Sequence, residues 1–230
     1  MEKNNRNGVG VFYGVIGVAT LVVAVIGATF AWFTASAGSN ATDITAGSKT
    51  ANTLTFTTVS NLKDNLIPVD DGDSKFPSFI GVDSAKCKDL NQNDICSVYQ
   101  FTIGNTGTIA QQIGVTFTPK VNTFENLWYA VYEGTDFTKT PVVAKTKLVN
   151  GSVAPIVFSE LSQVLGAAGT ANASKTYSLV LWIKEANTNQ TTADAGKSFT
   201  AGINVGTGTA KPDGTFEGGI TGVLGTAGTP

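Results

Sequence analysis

The sequence contains no histidine. That single absence removes the Ser–His and Cys–His nucleophile pairs and the H-E-x-x-H zinc helix. No G-x-S-x-G elbow is present either. Charge is scarce: Asp, Glu, Lys and Arg make up 14% of 230 residues, and the formal net charge is -2. A nucleic-acid binder needs a basic patch for phosphate contacts, so nucleic acid is not an expected partner. Cysteine is limited to Cys87 and Cys96. In an exported chain two cysteines so close together are expected to form a disulfide.

No charged residue occurs between Arg6 and Asp43. Within that stretch Val11–Phe33 is almost wholly apolar and follows a short polar start carrying Lys3 and Arg6. A core helix rarely runs so long without a polar face. The order of basic start and apolar run is that of a secretory signal. Two small-residue patterns offer cleavage points, one between Ala31 and Trp32 and one between Ala37 and Gly38. The same run is long enough to span a bilayer, so a permanent hydrophobic anchor helix competes with a cleaved leader. A type IV pilin start would place Glu a few residues after the Gly cleavage point. Here Gly10 is followed by Val-Phe-Tyr-Gly-Val.

What remains is rich in Gly, Thr, Val and Phe, which favours strands. Residues 1–37 read as signal peptide or membrane leader, 38–49 as linker or donor strand, and 50–208 as the folded domain. Residues 209–230 read as a flexible Gly/Thr-rich tail. Apolar alternation of period two recurs at Leu54/Phe56, Tyr99/Phe101/Ile103 and Ile113/Val115/Phe117, the last ending at Pro119. It returns at Leu127/Tyr129/Val131, where the intervening Trp128, Ala130 and Tyr132 make the strand apolar on both faces. Tyr177/Leu179/Leu181/Ile183 and Phe199/Ala201/Ile203/Val205 follow. Asn150-Gly151 between Leu148-Val149 and Val153 predicts a hairpin, and Ser159–Leu165 a short helix. Many short strands with turn residues between them predict an all-β sandwich of jelly-roll or Greek-key type.

Two segments resemble a known family. The leader end Gly27-Ala28-Thr29-Phe30-Ala31-Trp32-Phe33 is similar to the G-x-T-[WFY]-A-x-F junction of the TasA/camelysin family, which a SipW-type signal peptidase cuts. Leu181-Trp182-Ile183-Lys184-Glu185, then Asn189-Gln190, then Asp194-Ala195-Gly196-Lys197-Ser198-Phe199 resemble the strands that close that family's jelly roll. The resemblance implies a secreted, fibre-forming matrix or pilus-like subunit at the cell surface. Its partners would be neighbouring copies of itself, with a signal peptidase and the membrane met during export. Some relatives carry a metallopeptidase label, which a chain without histidine does not match. The junction also departs from the family's short acidic start, reading Phe33-Thr34-Ala35.

Three constellations carry possible chemistry. Asp89, Asn91 and Asn93 in the segment CKDLNQNDIC have the spacing of calcium-loop ligands, although Asp94 and Gln100 stand where an EF-hand has Gly and Glu. A polar turn is the competing reading. Asp70-Asp71-Gly72-Asp73 is a second acidic cluster, a solvated turn or an oxygen-rich metal site. Trp128, Tyr129, Tyr132 and Trp182 offer either a sugar-binding platform or core packing. The resulting expectation is a non-enzymatic fibre subunit. It would assemble by donation of a strand that starts at Trp32, Phe33 and Thr34 and includes Thr42 and Ile44. The alternatives are a membrane-anchored surface module, binding carbohydrate for example, and an extracytoplasmic hydrolase.

Overall fold

The computed structural model describes residues 53–185 and 194–227. The leader, both cleavage points and the donor residues Trp32, Phe33, Thr34, Thr42 and Ile44 lie outside the described residues. Ten strands are present among the described residues, β1 (Leu54–Asn61), β2 (Ser97–Asn105), β3 (Gln111–Asn122), β4 (Leu127–Glu133) and β5 (Val143–Lys147), followed by β6 (Ile156–Val157), β7 (Val164–Leu165), β8 (Ser174–Ile183), β9 (Ser198–Thr207) and β10 (Ile220–Ala227). One short helix, α1 (Phe76–Phe79), lies between β1 and β2.

The strands form two antiparallel sheets. The first runs β1-β2-β8-β4-β5, and the second runs β10-β9-β3-β6, with β7 also on β3. β8 lies between β2 and β4, and β3 between β9 and β6. This crossed order is that of a Greek-key or jelly-roll sandwich rather than a meander. Period-two alternation fills the space between the sheets with Phe101, Leu179, Leu181 and Val131 from one side and Val115, Phe117, Ile203 and Val205 from the other. Phe117 is central, with ring centroids 5.5 Å from Tyr129, 5.9 Å from Phe158 and 6.0 Å from Phe199.

A second core lies on the outer face of the first sheet. Val98, Ala130, Tyr132, Val180 and Trp182 pack there under the segment that joins β1 to β2. This flap, residues 62–96, supplies Phe76, Ile80, Ile95 and the two cysteines. It explains why β4 is apolar on both faces: each face has its own cover.

Several expectations change in the structure. β3 does not end at Pro119 but runs on to Asn122: Pro119 stays opposite Ala201, and a register shift that leaves Lys120 without a partner lets pairing resume at Val121 opposite Thr200. Asn150-Gly151 makes a turn, with Gly151 at φ 72° and the Ser152 amide on the Val149 carbonyl. That turn is not a hairpin, since β5 before it and β6 after it belong to different sheets. Ser159–Leu161 is a single 3₁₀ turn, and Val164–Leu165 pairs with β3 as a strand. The tail expected from residue 209 contains β10, paired along its whole length with β9. The segment before it also packs: Phe216 lies against Gly114 and Gly206, where a Cβ at either glycine would meet its ring within 3 Å.

Candidate functional site

A sheet ends in strands with one unpaired side, and natural proteins guard such edges with short strands, charge or bulges. Three of the edge strands here are guarded. β5 reads Val-Ala-Lys-Thr-Lys, with Lys145 and Lys147 exposed. β6 and β7 are two residues each. The two remaining edges differ. β1 (LTFTTVSN) pairs only with β2, and β10 (ITGVLGTA) only with β9, among the described residues. Both are eight residues long, both keep one register throughout, and neither carries a charge. Both present an apolar side chain outward: Val59 is 54% exposed and Val223 56% exposed.

The two edges lie on the same side of the sandwich. Gly222 of β10 sits so close to β1 and β2 that a Cβ there would approach the Phe56 ring to 2.5 Å and the Tyr99 hydroxyl to 2.4 Å. Glycine is required at that position by the close approach of the two sheets. Among the described residues, the site is therefore one flank made of two adjacent, uncharged strand edges that pair on one side only. Sequence reasoning missed the β10 half of it because Ile220–Ala227 has only three large apolar residues among small ones.

The flap beside this flank is tied down at several points. Cys87 and Cys96 form a disulfide with Cα atoms 4.8 Å apart, and both are fully buried. The Asn61 amide donates to the carbonyls of Gly81 at 3.0 Å and Asp83 at 2.6 Å. Within the disulfide loop, Asp89 Oδ1 accepts the Asn91 and Asn93 backbone amides at 2.8 Å each, and Oδ2 accepts Asn93 Nδ2 at 3.0 Å. The Asn93 side chain is the leading cause that holds the Asp89 carboxyl below its usual range. Asp94 turns away to Lys88 at 3.1 Å and Lys63 at 3.5 Å. Asp89, Asn91 and Asn93 are thus joined as an Asx-type turn by internal donors.

The acidic run Asp70–Asp73 divides. Asp70 and Asp73 cap the turn by accepting the amides of Gly72 and Lys75, each at 2.9 Å. Asp71 is not solvated: its side chain is 4% exposed and pairs with Lys184 at 2.9 Å and Lys145 at 3.4 Å. The four aromatics do not form one platform. Tyr129 points between the sheets against Phe117 and Phe158. Trp128, Tyr132 and Trp182 belong to the other face, where Trp182 is 1% exposed and Lys184 covers Trp128 at 4.6 Å.

Fold and flank together define a two-sheet β-sandwich in which, among the described residues, one side carries two unguarded strand edges. Comparison with protein-family models, with curated proteins and with solved structures finds no match to this chain in any of the three.

Proposed function

We propose that this protein is a structural subunit of an extracellular fibre or pilus-like matrix filament, joined to its neighbours by strand addition at the β1/β10 flank. The observation that carries this reading is the contrast between edges: β5, β6 and β7 are guarded, whereas β1 and β10 are long, regular and uncharged. Unpaired backbone groups on such an edge accept an extended segment from another chain. The donor in this reading is the stretch from Trp32 to Lys49 of a neighbour. It has Trp32 and Phe33 at its tip, β-branched Thr34, Thr42 and Ile44 along it, and almost no charge. Donor and acceptor surfaces differ, so repeated addition does not close on itself and gives a filament. The apolar leader with its two small-residue junctions, its resemblance to the SipW-type pattern and the buried disulfide support export and a site outside the cell.

Negative-stain microscopy of the purified mature protein tests the reading. Filaments are expected from the full mature chain, and a folded monomer from the same chain lacking Trp32–Lys49. Filaments from the truncated chain would refute strand donation by that segment. Discrete particles from the full mature chain at every concentration would refute the fibre itself.

A further inference from the structure

We propose that Asp71 and Lys184 are the partners of an intramolecular amide cross-link that fastens the flap to β8. Lys184 Nζ lies 2.9 Å from Asp71 Oδ1, so the amine is in direct contact with the carboxyl group whose carbon it would attack. The carboxylate is almost completely withdrawn from water and faces the second core, while the lysine side chain is partly exposed. Lys145 approaches the other oxygen, Oδ2, at 3.4 Å and also donates to the Asp71 backbone carbonyl. The rings of Phe76 and Trp182 lie 6.0 Å from Lys145, and that of Trp128 lies 4.6 Å from Lys184, so apolar walls border both ammonium groups.

The backbone holds this geometry before any reaction. The Val69 amide donates to the Ile183 carbonyl at 2.9 Å, and the Glu185 amide donates to the Val69 carbonyl at 2.9 Å. Two chain segments distant in sequence therefore run side by side in parallel and present Asp71 and Lys184 to each other. Such fixed proximity acts as a high effective concentration, on the order of 10⁵ M or more in well-oriented intramolecular reactions. That favours condensation in a chain surrounded by water.

The step balances without a co-reactant. The Lys184 ammonium first gives one proton to the carboxylate. The neutral amine then attacks Cγ and forms the C–N bond. The Lys145 ammonium stabilises the negative charge that develops on the carboxyl oxygen. The C–O bond breaks, and the hydroxyl leaves with a second amine proton as water. Ammonium and carboxylate become amide and water, and nothing is oxidised or reduced.

The test is a tryptic peptide map of the folded full chain after denaturation and reduction. It reads the bond whether or not the protein forms fibres. The expected product is one branched peptide that joins residues 64–75 to residues 176–197, with a mass equal to the two linear sequences less one water. Cleavage after Lys184 is expected to fail because the acylated side chain no longer fits trypsin. Asp71→Asn should give the same branched peptide by loss of ammonia, and Asp71→Ala and Lys184→Arg should give none. Lys145→Met should slow its appearance. Recovery of Asp71 and Lys184 only in separate linear peptides, after prolonged incubation of folded wild-type protein, would overturn the proposal. So would a branch at Lys145, or an undiminished rate in Lys145→Met.

Discussion

At the scale of single residues, ionisable groups report how tightly the chain closes on them. Burial pushes the phenols of Tyr99 and Tyr177 up to about 12. Tyr129 and Tyr132 move upward for the same leading reason, with the negative charge of Asp71 adding to the effect at Tyr132. A phenol whose folded pKa exceeds its unfolded value near 10 keeps its proton longer in the native state. Its contribution to stability is whole below pH 10 and is lost as pH rises toward 12. Urea midpoints should therefore fall steeply between pH 10 and pH 12, and an ultraviolet titration of native protein should show these tyrosines resisting ionisation in that window. Asp89 has the opposite sign. Its folded pKa is depressed by Asn93, so its contribution is present above the unfolded carboxylate value near 4 and lost in more acid solution. The donors that satisfy Asp89 come from its own loop, and a cation would have to displace them. Melting temperature is accordingly expected to stay unchanged when several millimolar calcium is added. Asp89→Ala is expected to lower it by a few degrees with or without calcium. A rise with calcium that Asp89→Ala abolishes would assign the loop to the cation instead.

At the scale of elements, the flap is the part least able to stand without help. It contains one helical turn and otherwise irregular backbone, with Cys87 and Gln92 both in the left-handed region at φ 59° and 68°. Such conformations cost free energy at residues other than glycine. The Cys87–Cys96 bond offsets this by restricting the unfolded chain. A loop of this length is worth about 2.5–3 kcal/mol on the chain-entropy relation. Replacing both cysteines with serine should lower stability by about that amount or more, read as a shift in urea midpoint. It should also expose the Trp182 face, read as a red shift in tryptophan emission. Loss of midpoint with no change in emission would show that the flap holds its place by packing alone. Trp182, Phe76 and Tyr132 could be picked out as apolar residues from sequence alone. Their grouping could not, because they come from β8, the flap and β4 and meet only when the flap folds back.

At the scale of the whole molecule, the open flank predicts how assembly can be blocked without unfolding the subunit. Val59→Lys on β1 and Val223→Lys on β10 each place a charge where edge strands of monomeric proteins commonly carry one. Both side chains are more than half exposed, so stability should stay within about 0.5 kcal/mol of wild type. Filament formation, followed by light scattering, should be abolished or strongly delayed in at least one of the two. Full assembly by both variants would move the contact away from this flank.

Much of the sandwich was legible beforehand because alternation of period two is a local property: Tyr99-Phe101-Ile103 or Phe199-Ala201-Ile203-Val205 alone declare a strand and its buried face. The close spacing of Cys87 and Cys96 declared their pairing in the same local way. The sequence by itself thus determined the fold class, the disulfide and the inward side of six strands. Only the tertiary structure decided which strands lie at the sheet edges among the described residues, that Ile220–Ala227 is a strand, and that Asp71 faces two lysines. Each of these depends on neighbours far along the chain. An edge is defined by the strand that is missing beside it. β10 owes its place to β9 and to glycines that admit close packing. A carboxylate in a run of turn residues is buried only when Lys145 and Lys184 arrive from other strands.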